Sequence, residues 1–312
     1  MKAHLAALPQ SLDSRIALAE LRGEVQNFVA ISHVAEASYK YFNEMIGRLY
    51  ILFSKIHRME DVGFSREQIL PELAPVRDLY AHSPFLKRTQ DWPRGYQGDF
   101  ETIEYLVKQK NHAEPGTIGY WLEEYALASV ITQQHRNKIS AQAAEILEQA
   151  IMGMQQGRIR RVLVIACGGC SDIYRIRHIL ATMPVEILIN DIDEDALRYS
   201  MERLSPILGD KVTALHGNVL LKLKALAKMG PFDLVMTGGL FDYLTDSQAA
   251  KLASFSVSRL LSEDGLFLFT NLAVGNPLRI SAEYMANWLM YYRTEAGIDA
   301  LLTAQGIAAG ML

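Results

Sequence analysis

Short apolar runs alternate with amphipathic segments in the second half of the chain, and this alternation restricts the possible folds more than any other feature. The runs follow one another at intervals long enough for a helix, over residues 161–166, 185–189, 212–216, 232–236 and 266–270. Continuous apolar runs are typical of strands buried on both faces, as in a parallel sheet. The pattern therefore predicts a doubly wound parallel sheet, with helices such as 172–182 and 196–208 between its strands.

The first half of the chain has a different pattern. Apolar residues recur at near-helical spacing over residues 28–59, and further helices are predicted over 100–110 and 117–156, the last with a break near residues 134–137 as an alternative. Nothing in this half alternates as a strand would. We therefore expect two domains, a helical domain of residues 1–157 that encloses the substrate and a sheet domain of residues 158–312.

The composition limits the partners that can be expected. The formal net charge is −4 and charged residues make up 21% of the chain, so no basic face for nucleic acid is expected. The first residues lack the apolar core of a signal peptide, and no apolar run is long enough to span a membrane. We expect a cytoplasmic protein that acts on a small molecule, with no nucleic-acid or membrane partner. The oligomeric state stays open.

The two cysteines, Cys167 and Cys170, form a C-x-x-C motif. Such a pair can be a redox motif or half of a zinc site. Zinc would need two further ligands, and the sequence has neither a second cysteine pair nor a close pair of histidines. We favour the interpretation that both are small residues in a crowded loop, and we expect no metal.

A glycine-rich loop follows the first predicted strand, and in an open α/β sheet ligands bind at the carboxyl ends of the strands. The loop contains Cys167, Gly168 and Gly169, and glycine lets the backbone turn sharply and approach a ligand. Asp191 follows the second strand, 22 residues after Gly169. An acid at this place can accept hydrogen bonds from both hydroxyls of a ribose. These four residues are therefore predicted to bind a nucleotide cofactor.

The residues after the two glycines distinguish between nucleotide cofactors. A dinucleotide such as NAD is bound by G-x-G-x-x-G, whose third glycine lets helix and strand pack closely beside the pyrophosphate. Here the corresponding region contains Asp172 and Tyr174. A carboxylate repels a pyrophosphate but attracts a sulfonium or an ammonium group. We therefore predict that the cofactor is S-adenosylmethionine (SAM).

The order of these motifs resembles that of the class I SAM-dependent methyltransferases. The resemblance implies a Rossmann-like class I methyltransferase fold, here preceded by an all-helical N-terminal domain. It also implies that Asn218 and Val219, after the third strand, contact the adenine. Gly238, at the end of the fourth strand, is expected to contact the cofactor, and residues 237–244 are expected to face the substrate.

A narrower resemblance extends into the first half of the chain. The segment Trp92-Pro-Arg-Gly-Tyr-Gln-Gly-Asp-Phe100 resembles the P-x-G-Y-x-G-D-[FY] segment of bacterial enzymes similar to the hydroxy-fatty-acid methyl ester synthases. Arg136 and the segments 239–243, 276–279 and 288–293 also resemble that family. The resemblance covers roughly residues 92–305.

Two positions depart from that family. Its glycine loop commonly reads G-x-G-P-x-x-E, whereas this chain has Tyr174 where the loop enters its helix and Asn190 before the ribose acid. This pair is similar to that of the SAM-cyclising azetidine-2-carboxylate synthases, in which the amine of SAM displaces methylthioadenosine. The resemblance implies that Tyr174 faces the sulfonium, a contact worth about 0.5–2 kcal/mol, and that Asn190 orients the amine. In the alternative interpretation, Tyr174 is an ordinary packed helix residue and Asn190 ends a strand.

Five residues are further candidates for the site. Tyr96 and Phe241 are aromatic residues that can line a sulfonium pocket. Asp99 either binds the amine of SAM or caps the helix that follows it. Arg136, with Arg94 as a second possibility, is a candidate for the SAM carboxylate, because arginine binds carboxylates through two parallel hydrogen bonds. Its alternative role is that of a solvated or ion-paired surface arginine.

Three functions stay open at this point. The first, which we favour from the sequence, is an enzyme of secondary metabolism, a SAM lyase that cyclises SAM to azetidine-2-carboxylate. The second is methyl transfer to a small carboxylic acid or hydroxyl acceptor, for example a hydroxy fatty acid. The third is a non-catalytic SAM-binding assembly protein. Aromatic residues suit the sulfonium pocket in the first two cases, so they do not distinguish between cyclisation and methyl transfer.

Overall fold

The computed structural model of the protein describes residues 11–307, which form two compact units. The helical unit consists of residues 11–133 and Pro277–Leu289. The sheet unit consists of Gln134–Asn276 and residues 290–307. The chain therefore leaves the sheet unit at residue 277 and returns to it at residue 290.

The helical unit contains no strand among its described residues. Leu21, Leu49 and Met59 are fully buried in its single core cluster. Within residues 11–307, no helix combines the length and the apolar character that a membrane-spanning segment needs. The α-helices of the unit are α1 (Leu12–Ser32), α2 (Tyr39–Asp61), α3 (Arg66–Ile69), α4 (Ala74–Tyr80), α5 (Pro84–Asp91), α6 (Phe100–Lys108) and α7 (Ile118–Ala128).

The helix predicted over residues 28–59 is interrupted, so this prediction is wrong in its continuity. α1 ends at Ser32 and α2 begins at Tyr39. Ser38 starts the second helix, because its hydroxyl oxygen accepts a hydrogen bond from the backbone N–H of Tyr41 at 3.2 Å. No proline or glycine lies between the two helices, and the capping serine is therefore the main sequence signal for the break.

The long helix α8 (Val130–Gln156) runs from one unit into the other. A break at Ser129, whose backbone is extended, separates it from α7, so the predicted helix 117–156 is two helices. The alternative break near residues 134–137 is wrong, because these residues are helical. Ile146 and Ala150 of α8 are buried in one cluster with Val162 of the sheet. The sheet unit therefore begins within a helix at Gln134, earlier than the boundary expected at residue 157, because this helix covers the sheet.

The segment Pro277–Leu289 belongs to the helical unit although it lies late in the chain. Leu278, Ile280 and Met285 are buried in the core of that unit. Arg279 forms an ion pair with Glu60 of α2. The segment is far from the helical half in sequence, and its membership follows only from these tertiary contacts.

The sheet unit has the predicted parallel sheet, with the strands in the order β3-β2-β1-β4-β5. All four strand pairs are parallel, which requires a crossover between consecutive strands. The strands are β1 (Arg160–Ile165), β2 (Val185–Asp191), β3 (Val212–His216), β4 (Phe232–Gly238) and β5 (Leu261–Thr270). The remaining helices are α9 (Ser171–Leu180), α10 (Glu194–Leu208), α11 (Val219–Met229), α12 (Asp246–Phe255) and α13 (Glu295–Thr303).

The two faces of the sheet have separate cores, because successive side chains of a strand point to opposite faces. Val162 and Val164 of β1 lie in one cluster with residues of α9 and α10. Leu163 and Ile165 lie in the other cluster, with residues of α11 and α12. Burial on both faces explains why the strands read as continuous apolar runs.

The last strand begins five residues before the predicted start, at Leu261 rather than at residue 266. The register between β4 and β5 shifts here, since Phe232 pairs with Leu261 whereas Leu234 pairs with Leu266. The intervening residues of β5 are polar or glycine. They interrupt the apolar pattern from which the strand was predicted.

A buried carboxylate organises the centre of the helical unit. Glu123 of α7 is 0% exposed, and each of its oxygens accepts two hydrogen bonds. Oε2 accepts from the Ser83 hydroxyl at 2.7 Å and the Phe85 backbone N–H at 3.1 Å. Oε1 accepts from the Tyr105 hydroxyl at 2.6 Å and the His112 backbone N–H at 2.7 Å. The carboxylate thus joins α5, α6, α7 and the α6–α7 connection.

We expect Glu123→Gln to lower the free energy of unfolding by about 2–4 kcal/mol. Each carboxylate oxygen faces one backbone N–H, which can only donate. In either orientation, the amide –NH₂ of glutamine would therefore face a donor. The exposed Glu114 of the same unit provides a matched control, and Glu114→Gln is expected to change little. Urea unfolding followed by circular dichroism measures both, and equal stability of the two variants would contradict this role.

Candidate active site

The glycine loop after β1 is fastened to the end of β2. The backbone N–H of Gly168 donates to Oδ2 of Asp191 at 2.8 Å, and that of Cys167 donates to the Asn190 carbonyl at 3.1 Å. Gly168 has a φ of +54° and Cys170 has a φ of +50°, a region that favours glycine. The predicted loop residues and the predicted ribose acid therefore lie together, at the carboxyl ends of adjacent strands.

Asp191 is 7% exposed, and burial raises its pKa above the ordinary value. Its second oxygen, Oδ1, accepts a hydrogen bond from the Asp193 backbone N–H at 2.9 Å. Each carboxylate oxygen has two acceptor positions, so these two backbone contacts still leave acceptor capacity. Asp191 can hold the loop and, at the same time, accept hydrogen bonds from hydroxyl groups of a ligand.

A half-buried lysine that was not predicted from the sequence lies at the same edge of the sheet. Nζ of Lys138, on α8, donates to the Gly238 carbonyl at 3.1 Å. Burial lowers the pKa of Lys138, and the carboxylates of Asp242 and Asp172 oppose that shift. Lys138 therefore brings one positive charge between the acid of the β1 loop and the acid that follows β4.

The two acids beside Lys138 are buried. Burial raises the pKa of Asp172 to about 6, although its carboxylate accepts the Ile173 backbone N–H at 2.8 Å. Burial likewise raises the pKa of Asp242, which accepts hydrogen bonds from the Leu272 backbone N–H at 2.7 Å and from Asn271 Nδ2 at 2.8 Å. Neither acid is fully compensated by its neighbours.

Together, Asp172, Asp191, Asp242 and Lys138 carry three negative charges and one positive charge when all are ionised. Buried Arg293 adds a second positive charge that acts on Asp242. Desolvation is the first cause of each raised carboxyl pKa, which shows that the charged forms lack sufficient compensation. This edge of the sheet is therefore suited to a ligand that carries positive charge.

The residues predicted after β3 and β4 also lie at strand ends. Asn218 caps α11, since its side chain accepts a hydrogen bond from the Leu220 backbone N–H at 2.9 Å. Val219 is the first residue of that helix, where backbone N–H groups have no partner within the helix. Gly238 ends β4, and a Cβ built on it would lie 2.3 Å from Nε2 of Gln142. Only glycine fits at position 238 while Gln142 keeps its place.

Tyr174, the predicted sulfonium-facing residue, packs between two arginines. The guanidinium carbon of Arg177 lies 3.7 Å from the ring centroid, and that of Arg203 lies 3.9 Å from it. Two cations this close to one centroid must occupy opposite faces of the ring, because on one face they would overlap. Arg203 also donates to the Gly169 carbonyl at 3.1 Å. In this arrangement neither face of the Tyr174 ring is available to a sulfonium.

Asn190, the predicted partner of the amine, joins two strand ends. It is 1% exposed, and its Nδ2 donates to the carbonyls of Leu215 at 2.7 Å and Gly217 at 3.0 Å. Both hydrogens of the amide nitrogen are therefore used within the fold. This arrangement supports the interpretation of Asn190 as a residue that ends a strand.

Phe241 lies beneath the site rather than in it. Its side chain is 0% exposed and stacks on Phe269, with 4.2 Å between ring centroids. The ring belongs to the core cluster on one face of the sheet. A direct contact between Phe241 and a ligand would require this stack to open.

Tyr96 and Asp99 belong to the helical unit. Asp99 caps α6 by accepting hydrogen bonds from the backbone N–H groups of Glu101 and Thr102, and it pairs with Arg88 at 2.5 Å. The capping alternative for Asp99 therefore matches its contacts in the structure. Tyr96 lines a small cleft of the same unit with Arg88, Trp92 and Asp99.

Arg136 lies on α8, two residues before Lys138, and burial lowers its pKa below the ordinary value for arginine. Lys138 is the more deeply placed cation, since its ammonium group reaches the end of β4. Arg136 is the residue of this helix that was predicted to bind a carboxylate, whereas the charge cluster contains Lys138.

Both cysteines are free thiols. Cys170 is buried in a core cluster of the sheet unit, and burial raises the pKa of Cys167 well above its ordinary value, so its thiol is protonated at neutral pH. No group of three or more metal-ligating side chains occurs among residues 11–307. The contacts of the pair are those of small residues in a tight loop.

The chain was compared with known proteins. No family model matches it, and no curated protein sequence matches it significantly. Among solved structures, a possible exported protein from Bordetella parapertussis is similar over 96% of this chain and 93% of its own, with 16% identity and a TM-score of 0.53. At this identity the similarity concerns the fold alone.

Two partial similarities are to proteins described as methyltransferases. An O-methyltransferase family protein from Burkholderia thailandensis aligns with 60% of this chain and 58% of its own, at 17% identity and a TM-score of 0.42. A Haemonchus contortus phosphoethanolamine N-methyltransferase, solved with SAM, aligns with 53% of this chain and 36% of its own, at 19% identity and a TM-score of 0.39. The strand order and flanking helices of the sheet unit are those of the Rossmann-like class I methyltransferase fold.

We expect Asp172→Asn to stabilise the protein at pH 8 in the absence of ligand. The folded-state pKa of about 6 lies above the ordinary value of 3.8, so the ionised carboxylate opposes folding above pH 6. This penalty, about 2–3 kcal/mol, disappears as the pH falls from 6 towards 4. The penalty is measured by comparing the urea unfolding midpoints of Asp172→Asn and of the unchanged protein at pH 8 and at pH 4.

The control for this experiment is Asp210→Asn, at an exposed position of the same unit. The control is expected to show little change at either pH. A loss of stability in Asp172→Asn at pH 8 would contradict the conclusion that the Asp172 carboxylate is poorly compensated.

Proposed function

We propose that the protein is a SAM-dependent enzyme whose cofactor site is the carboxyl edge of the sheet. The excess of carboxylates over cations at this edge carries this proposal. The three acids Asp172, Asp191 and Asp242 outnumber the two cations Lys138 and Arg293, and the raised pKa values of the acids mark the imbalance. SAM has a sulfonium and an ammonium group, and its binding would supply the missing positive charge.

The residues present fit the parts of SAM. Asp191 has acceptor capacity for the ribose hydroxyls, and the loop at Gly168 gives close access to the backbone. Lys138 and Asp172 offer opposite charges for the carboxylate and the ammonium group of the methionine part. Asn218, at the start of α11, is placed for the adenine. SAM supplies an activated methyl group on its sulfonium. By contrast, the pyrophosphate of NAD would meet the carboxylate of Asp172.

We propose methyl transfer to a small hydroxyl or carboxylic acid acceptor as the reaction. The prediction that SAM is cyclised to azetidine-2-carboxylate rests on Tyr174 and Asn190. The ring of Tyr174 is covered by Arg177 and Arg203, and the amide nitrogen of Asn190 is used between strand ends. These contacts favour transfer to an acceptor over cyclisation.

We expect the purified protein to bind SAM in isothermal titration calorimetry. We expect that NAD does not displace the bound SAM. Asp191→Asn removes one carboxylate charge and one pair of acceptor positions, and we expect it to weaken SAM binding about 10- to 100-fold, as for a lost charged hydrogen bond of about 1.5–3 kcal/mol. Asp210→Asn serves as the control. Tighter binding of NAD than of SAM would contradict the proposed cofactor.

Incubation with SAM alone separates methyl transfer from cyclisation. We expect little methylthioadenosine from SAM alone, and S-adenosylhomocysteine once an acceptor is added. Liquid chromatography with mass spectrometry measures both products. Rapid release of methylthioadenosine with a cyclic four-carbon amino acid would contradict methyl transfer and support cyclisation. Tight SAM binding with no product in the presence of cell extract as acceptor source would indicate a non-catalytic protein.

A further inference from the structure

Helix α8 runs antiparallel to the strands that it covers. Near its end, Gly153 packs against the carbonyl of Pro184, just before β2, at the amino end of the sheet. Nearer its start, Gln142 and Lys138 contact Gly238, at the carboxyl end of β4. The first turns of α8 therefore extend past the carboxyl ends of the strands, where ligands of such sheets bind.

One side of α8 carries polar side chains near the carboxyl ends of the strands. Gln142, Lys138 and His135 follow one another at intervals of four and three residues, which places them on one face of the helix. Each residue rises about 1.5 Å along the axis. His135 therefore lies roughly 4.5 Å beyond Lys138 along α8, on the ligand side of the charge cluster.

The imidazole of His135 has an unusual environment for a structural histidine. Its Nε2 is buried and has no hydrogen-bond partner within residues 11–307. Burial holds the pKa of His135 well below the ordinary range, and the charges of Lys138 and Arg136 lower it further. The ring is therefore neutral at physiological pH, and a buried polar atom without a partner requires an explanation.

We propose that His135 is the general base of the reaction and that the acceptor is an acidic hydroxyl, such as that of a phenol or an enol. This inference rests on the proposed methyl transfer. Nε2 takes the hydroxyl proton while the acceptor oxygen attacks the methyl carbon of SAM. The carbon–sulfur bond breaks, and its electron pair stays on the sulfur. The products are the methyl ether, S-adenosylhomocysteine and the imidazolium of His135.

The charge balance of the site supports this assignment. The reaction removes the positive charge of the sulfonium, and protonation of His135 creates a positive charge beyond Lys138. The step therefore moves one positive charge from the sulfonium to His135 and leaves the total charge of the site unchanged. A carboxylate acceptor is already ionised at neutral pH and would need no base, whereas a phenol, with a pKa of about 10, would need one.

His135→Gln tests the proposal, because glutamine keeps a polar side chain but cannot take the proton. The matched control is His178→Gln, at an exposed position on α9. The assay measures S-adenosylhomocysteine formation with phenol, with 4-nitrophenol in mildly alkaline buffer, where it is largely ionised, and with benzoate. SAM affinity is measured for each variant by calorimetry.

We expect His135→Gln to lower kcat with phenol about 10²- to 10⁴-fold, the usual contribution of general base catalysis. Turnover of 4-nitrophenol should fall much less, and SAM affinity should stay within about twofold. Equal losses with both phenols, or methylation of benzoate alone by the unchanged protein, would overturn the proposal. If the unchanged protein does not bind SAM, the proposed function itself fails.

A second measurement does not depend on the choice of acceptor. Imidazole nitrogen signals of the ¹⁵N-labelled protein with bound SAM report the tautomer of each histidine, and the signal absent from His135→Gln identifies His135. We expect the proton on Nδ1 and a free electron pair on Nε2. A proton on Nε2 at neutral pH would overturn the proposal, whichever acceptors are turned over.

Discussion

The candidate site depends on the parallel pairing of β1 with both β2 and β4. From β1 the chain winds outward to β3, then crosses back to β4 on the other side. Loops that leave β1 and β4 therefore diverge and open a crevice at the carboxyl edge of the sheet. Because all strands are parallel, the ends of β1, β2 and β4 meet there, and they carry Gly168, Asp191 and Gly238. The position of the candidate site therefore follows from this topology before any single side chain is considered.

Packing at this edge buries more acid than base. Asp172 and Asp242 are placed beside Lys138 because α8 covers the sheet, and each carboxyl group is desolvated more than it is compensated. Unligated protein is therefore held in an electrostatically unfavourable state. A cationic ligand relieves this cost when it binds, so part of the binding free energy comes from repairing the site. Stability without ligand and affinity for ligand are opposed at these positions.

Tyr174 and Asn190 lie where the sequence predicts them, but their contacts do not match the roles predicted for them. Both residues lie beside the glycine loop, as expected from their places in the sequence. However, Arg177 and Arg203 cover the tyrosine ring, and two carbonyls take the hydrogens of the asparagine amide. Their side chains therefore stabilise the loop and the strand ends. The resemblance at these two positions predicted cyclisation of SAM, whereas the contacts around them favour methyl transfer to an acceptor.

Local patterns in the sequence were sufficient for the strands, apart from the first residues of β5, and for the positions of the glycine loop and Asp191 at strand ends. Burial on both faces requires continuous apolar runs, and a strand end lies wherever such a run stops, so these features follow from neighbouring residues alone. The meeting of Lys138 with Asp172 and Asp242 has no such signal, because it depends on where α8 packs against the sheet. The return of Pro277–Leu289 to the helical unit and the arginines around Tyr174 have the same origin. Periodicity is a property of adjacent residues, whereas burial and charge compensation depend on distances between segments that only the packed chain brings together.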